Sequence, residues 1–588
     1  MKMVEERLNW RKEAIMNKLI IILAAISGAL IGRAQGGSDA SVISKGDRSV
    51  EQAYRIRIRP QAIDTLMPTP NVNYPLLVVR EETSFDVEAI EPAAIRHRPQ
   101  LSQLYRGFAK IGGGSRLMGL GEVYYNSLRS RKYNWGFHGQ HLSEWGQLAD
   151  VAPSIYDRSQ IKAFGSVQER RYSYGGELKY MNQGLHYYGF DNPDAPRDSI
   201  AQRFNNIGFN GYFASHPKDS AMLNYRIGLD YSYFNDKKPQ EDTLSKWRAR
   251  ENYFALKSTW SYKMSNNVLL SNMEADFNVL HNDYRYGIAD SAIGVLDTGY
   301  VSSNTVIQLR PITHFYGKNE KLQFKIGGEL SVDIRDKTRA SLYPIAQVRY
   351  SLFDDLFIPY AGVQGGLQQQ RFENLTRSNE FISSNIQLAN MQRYEANFGI
   401  KGTLSQKMSF NVGAIFSHNR DMAFFINDTI YSSGNQFSVI YDTVNITTLH
   451  GSLSYQALEK LKIDAIGRYH SYQMRNNPHA WNMPQVEIIL RGKYNVANKL
   501  YANLDLTLEG GRRALVYDGT LENAVEEDGV YFIPLGFIAD ANLGVEYRYN
   551  QRISFFTNFN NFAAQRYQRW FGYPVQAFQF MLGATFRF

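Results

Sequence analysis

Several places along the chain carry side chains that could do chemistry. His138 and His141 could share a metal ion if their imidazoles converged, but a spacing of three along a strand sets them on opposite faces. Gly112-Gly113-Gly114 could cradle a phosphate, yet it lacks the downstream lysine and helix of a phosphate loop and reads better as a close approach of backbones. Glu522, Glu526, Glu527 and Asp528 stand near Arg512 and Arg513 and could hold a cation; a solvated loop is the simpler reading. Cysteine is absent, which removes thiol nucleophiles, disulfides and thiolate metal sites. No catalytic set, cofactor site or metal site emerges, so the expectation is a protein that is not an enzyme.

What remains is a set of charges of mixed sign that recur with a spacing of two or four. Lys325, Glu329, Asp333 and Arg335 form one group, Asp505 and Glu509 a second, Glu546 and Arg548 a third. Charges on one face of neighbouring strands can pair and stiffen a wide wall. They can also line a path for a hydrophilic solute. Both uses require that they face the inside of something hollow.

The elements that carry them are long alternating strands. Phe324, Ile326, Leu330, Val332 and Ile334 take one face, while Lys325, Glu329, Asp333 and Arg335 take the other. Leu500 to Leu508 and Tyr225 to Tyr233 repeat the pattern. Such runs exceed the strands of about five or six residues usual in soluble proteins and suit a bilayer, which takes roughly 9–11. Short polar turns, such as Glu459-Lys460, Asn495 to Asn498 and Asn550-Gln551, alternate with longer loops near 144–159, 281–300, 371–390, 421–444, 510–534 and 561–575. Links near 474–480 and 335–340 are expected to be short. The count is about 22 strands (20–24) in an all-β, transmembrane, antiparallel up-and-down barrel over 104–588. Short periplasmic turns and an even count put both termini in the periplasm.

Composition agrees. Aromatics make up 14% of the 588 residues, with 46 glycines. A mean hydropathy of −0.40 excludes a multi-pass helical membrane protein and fits a barrel, where every second strand residue is polar. The net charge of +9 is spread along the chain and gives nucleic-acid binding no support. Leu19 to Ile31 is too short to span a bilayer as a helix; with Lys18 before it and Gly32-Arg33-Ala34 after, residues 1–34 read as a signal peptide, with Met16 as the expected start. Residues 35–103 are a proline-rich extension that should form no core of its own. Its Tyr54 to Arg59 alternates like a strand with one basic face, which reads first as a solvated edge or linker and, more sharply, as a segment that threads into a pore or as a docking strand for a periplasmic or outer-membrane protein partner through 35–103.

The last strand places Phe580, Leu582, Phe586 and Phe588 on one face and ends on an aromatic residue. This resembles the β-signal that the barrel assembly machinery of Gram-negative bacteria reads. The stretch Phe555 to Phe562 with Gln565-Arg566-Tyr567 and Trp570-Phe571-Gly572-Tyr573-Pro574 resembles the final hairpin of TonB-dependent receptors, and Leu104 to Phe108 with Gly121 to Ser127 looks like the opening of receptor-like barrels that lack a plug. The resemblance implies an outer-membrane barrel, embedded in outer-membrane lipid, that passes or gates a hydrophilic solute. The alternative is a non-transporting scaffold or secretion-complex subunit that anchors partners. The departure is the short extension where that family carries a globular plug. Within it Ile63 to Leu66, faintly like a TonB-binding tetrapeptide, reads as chance.

Overall fold

The structure, a computed structural model, describes residues 104–190, 192–216, 222–237, 247–265, 270–289, 296–317 and 321–588. Residues 1–34, expected to be a signal peptide, and 35–103, expected to be an extension, lie outside the described residues. The barrel belongs to the unit Pro99–Phe588.

Period-two patterning builds one antiparallel sheet of 22 strands, the expected number. It closes on itself, because the first strand, Gly107–Gly114, pairs with Met118–Asn126 on one side and with the last strand, Gln579–Arg587, on the other. The triple glycine lies at this closure. Gly112 faces Gly583, and a Cβ on Gly114 would meet the Phe580 carbonyl oxygen at 2.2 Å. Only a residue without a side chain fits there.

The large apolar side chains stay bare. Ile326, Leu330 and Ile334 are exposed, while Glu329 and Ser331 between them are buried. Water would not tolerate that arrangement around a closed wall, whereas hydrocarbon requires it.

The turns at Glu459-Lys460, Asn495 to Asn498 and Asn550-Gln551 fall between strands as expected. The loops read at 281–300 and 421–444 are largely strand. Leu270–Ala289 runs to Leu296–Tyr316, and Met408–Asn427 to Phe437–Leu458. Their alternation is broken by register shifts, at Asp297/Tyr300 and at Asn419/Met422, where Asp421 has φ 56°. A bulge inserts one residue and shifts the period without ending the pairing. Conversely, the link after Met474 is longer than expected and reaches Val486. Asp442 holds it, accepting from the backbone N–H of Asn476 at 3.0 Å and of Asn477 at 2.9 Å.

One sector of the wall gives way. The strand Thr338–Tyr350 pairs along its whole length with Leu322–Ile334. With its other neighbour, Ile358–Gln368, it pairs only from Ala346↔Val363 to Arg349↔Tyr360. Beyond Val363 that neighbour parts from Thr338–Tyr350 and lies over its inner face, while staying paired with Met391–Ser405 as far as Gln368↔Met391. A Cβ on Gly365 would meet the Tyr343 side chain at 2.9 Å, so glycine permits the crossing. The Leu367 N–H donates to Glu329 Oε1 at 3.1 Å, and Gln308 Nε2 to the Leu367 carbonyl at 2.8 Å. Val306, Tyr343 and Leu367 pack together beneath it.

Candidate functional site: a strap across the barrel mouth

The tucked hairpin carries the connection 369–390, which includes the short helix Phe372–Ser378. A loop of ordinary composition would be polar. This one holds Phe372, Leu375, Phe381, Ile382, Ile386 and Leu388, all buried. Burying each such side chain is worth about 1.5–3 kcal/mol, so the segment cannot stay in water.

Its burial partners sit on far parts of the wall. Phe372 packs against Phe204, Phe234 and Tyr284, from three strands separated from its own by several others around the sheet. Phe381 stacks on Tyr573 with centroids 3.7 Å apart, and Tyr188 meets both edge-on. A connection that leaves the wall at Gln368, touches strands from Tyr172–His186 round to Leu296–Tyr316 and returns at Met391 must cross the opening. It is a strap over the mouth.

Hydrogen bonds fasten the strap at intervals. Gln183 Nε2 donates to Glu380 Oε2 at 2.6 Å, and the Tyr187 hydroxyl to the Ile382 carbonyl at 3.0 Å. The Tyr284 hydroxyl donates to the Ser384 carbonyl at 2.6 Å, and Ser384 also bonds Asp236. Arg335 donates to the Leu388 carbonyl at 2.6 Å, and the Tyr441 hydroxyl to that of Gln387 at 2.8 Å. Ile382 and Phe437 form a parallel bridge.

A buried charge cluster fixes the helix. Glu251, 1% exposed, accepts from the Phe372 N–H at 2.7 Å, the Glu373 N–H at 2.9 Å and Asn282 Nδ2 at 2.9 Å. A carboxylate at a helix N-terminus satisfies donors the helix leaves free and complements its dipole. Glu373 takes Arg371 at 3.2 Å, Arg377 and the Ser232 hydroxyl at 3.0 Å. Burial works against its charge, but Arg371, Arg377 and Lys179 together hold its carboxyl below the ordinary value. Burial pushes the Glu380 carboxyl up, with Gln183 and Arg158 opposing. The Arg371 guanidinium lies 3.9 Å from the Tyr253 ring centroid.

The residues singled out from the sequence fall in several places. Arg335 joins the strap and Glu329 the strand that leads into it, as above, and Asp333 accepts from Asn304. Asp505 pairs with Arg491 at 3.6 Å, and Glu546 with Arg548 at 3.5 Å, away from it. Lys325 and Glu509 lie on the same alternation without entering the cluster. Phe580, Leu582, Phe586 and Phe588 are exposed along one face of the closing strand. His138 Nε2 lies 3.3 Å from Glu122, and His141 Nδ1 2.8 Å from Ser159 Oγ, so the two histidines serve different neighbours. Arg512 is buried and donates to the carbonyls of Arg569 and Gly536, while Glu527 lies 3.2 Å from His479. Glu251, Phe372, Glu373 and Tyr284 were not legible as a site. The available signal was an apolar loop and aromatic residues at the ends of polar strand faces, at Phe204, Phe234 and Tyr284.

No family model matches the chain, and no curated protein does. Solved structures do. The siderophore receptor PirA from Acinetobacter baumannii superposes with a TM-score of 0.62 at 11% identity, over 83% of this chain and 81% of that one. The likeness is one of fold. The ferric-catecholate import receptor Fiu from K12 E. coli gives 0.61 at 11% identity, over 82% of each chain. The copper transporter OprC gives 0.60 at 12% identity, over 82% of this chain and 80% of that one. The receptor-like barrel therefore stands at identities too low to carry a ligand across.

Proposed function

We propose that this chain is a plugless receptor-like barrel of the Gram-negative outer membrane, and that it gates a hydrophilic solute with the strap where a receptor would use a plug. The observation that carries this reading is the strap itself. A barrel this wide leaves a lumen that wall side chains cannot fill, and residues 369–390 spend six large apolar side chains on crossing its mouth. Lys325, Glu329, Asp333, Arg335, Asp505, Glu509, Glu546 and Arg548 would line the path beneath. Fold comparisons with import receptors and a metal transporter support solute passage. Residues 35–103 would recruit a periplasmic partner, and the face of Phe580, Leu582, Phe586 and Phe588 would be read during insertion.

The test is single-channel conductance in planar bilayers. Replacing 372–388 with a short Gly/Ser linker should convert a silent or weakly conducting barrel into one with large, stable steps. A variant that folds, shown by heat-modifiable migration, yet stays silent would overturn the gate and favour an anchoring scaffold.

A further inference from the structure

We propose that the outer face of the wall, at the point where Ile358–Gln368 parts from Thr338–Tyr350, is a binding site for a phosphate-bearing lipid. The parting of the strands leaves a cavity of about 500 Å³ there. Pro344, Val363, Ala396 and Phe416 give it an apolar side. Tyr394, His418, Asn445 and Gln473 give it a polar one. The register sets these four in a single row across adjacent strands, Tyr394 opposite His418, His418 opposite Asn445, and Asn445 opposite Gln473.

That row looks outward. It alternates in step with the exposed Phe398, Phe416, Leu449 and Tyr469; it follows directly on Phe416 and, past Ala396, Thr447 and Ser471, on the other three. The polar row is thus where the apolar belt ends, at the level of lipid headgroups.

Positive charge stands one rung farther on. Arg420 is opposite Gln392, and the Arg475 N–H donates to the Thr443 carbonyl at 3.0 Å, which places both on the same face; both are exposed. They lie two strands apart, about 10 Å. Arg420 Nε approaches His418 Nε2 at 3.4 Å, and His418 Nδ1 lies 2.7 Å from Asn445 Oδ1. Glu395 also borders the cavity, but its carboxylate alternates to the other face, where it is neutralised by Arg393 and accepts from Gln364 Nε2 at 3.0 Å; Asp421 sits beyond, at the bulge. Two guanidiniums above hydrogen-bonding side chains suit phosphate oxygens. An apolar slot directly beneath suits an acyl chain. A free anion has no use for the slot, and a neutral lipid has none for the arginines. The site does not depend on whether the barrel conducts.

Native mass spectrometry of the full-length protein in detergent provides the test, with phosphatidylglycerol and phosphatidylcholine of identical chains as probes. Wild type should retain phosphatidylglycerol in preference. Arg420→Gln with Arg475→Gln should lower that preference about twenty-five-fold, at roughly fivefold per cation near an anionic surface. Arg129→Gln, at an exposed turn, should not. Ala396→Phe, which fills the slot, should lower retention with both arginines intact. Equal retention of the two lipids by wild type, or an unchanged preference in the double variant, would refute the site. So would arginine-dependent binding of inorganic phosphate alone that no lipid displaces.

Discussion

Two neighbouring sectors of the wall share one sequence pattern and behave differently. From Trp247–Ser265 through Leu270–Ala289 to Leu296–Tyr316, strands stay paired almost end to end. Between Thr338–Tyr350 and Ile358–Gln368 the pairing stops after Ala346↔Val363, and the end of Ile358–Gln368 slides over the inner face of its neighbour while keeping its ladder to Met391–Ser405. The difference lies partly in the strand, where Gly365 and Gly366 let backbone lie against Tyr343 and Glu329, and partly in the connection: residues 369–390 carry apolar side chains that a solvated loop would not. The chain gives up several rungs of backbone pairing in one place and recovers it as buried apolar surface across the mouth. A barrel wall can thus be dented by what its loop needs to bury.

The largest expected effect separates strap from wall. Phe372→Ala removes a fully buried ring and should destabilise strap docking by about 3–5 kcal/mol. Hydrogen exchange across 371–388 should lose protection while the wall strands keep theirs. If the wall melts with the strap, the two sectors are one cooperative unit and the comparison fails.

The wall has its own test. Leu504→Arg places a charge on the exposed apolar face and should cost about 2–4 kcal/mol near the bilayer midplane, read from urea unfolding in liposomes. Strap protection should not change. A cost near zero would put Leu504 away from lipid.

A smaller effect is expected at the buried carboxylate that joins the two. Glu251→Gln keeps the shape but removes the charge that accepts the Phe372 and Glu373 N–H groups. Charge-assisted hydrogen bonds are worth about 1.5–3 kcal/mol. Faster exchange should be confined to the first turn of the helix Phe372–Ser378. Uniform loosening of 371–388 would mean that Glu251 supports the whole strap.

The wall was legible because period two survives in any barrel, whatever the chain does elsewhere. Leu330 and Leu504 bare, with Glu329 buried, is the pattern the sequence states directly. The paired extensions at 281–300 and 421–444 were read as loops because single-residue bulges interrupt the period there. The strap was invisible for a different reason. Its partners, Phe204, Phe234 and Tyr284, are remote in sequence, and no periodicity links a loop to the strands opposite it. What the sequence did show was Trp570 to Pro574, which resembled a family hairpin; in the structure Trp570 and Tyr573 pack into the mouth cluster under Phe381.

The smallest expected effect concerns pH. Burial raises the Glu380 carboxyl above its ordinary value, with Gln183 and Arg158 only partly offsetting it. A docked strap therefore binds that proton more tightly than an undocked one. Docking is strongest below the ordinary glutamate pKa of about 4.3 and weakens as pH rises through it toward the raised value, beyond which the loss is complete. Glu373 works the opposite way: its carboxyl is held low, so its contribution is present above the ordinary value and is lost as pH falls. The two windows lie on opposite sides of about pH 4.3, so of these two glutamates only Glu380 loosens the strap as the pH rises. Glu380→Gln removes the ionisation and keeps an acceptor for Gln183 Nε2, which donates at 2.6 Å. The variant's strap should keep the same protection, relative to the intrinsic exchange rate at each pH, from mild acid to neutral, while wild type loses protection over the same range. A pH slope that persists in Glu380→Gln would move the titrating group off the strap and leave the buried cluster around Glu251 as the next place to look.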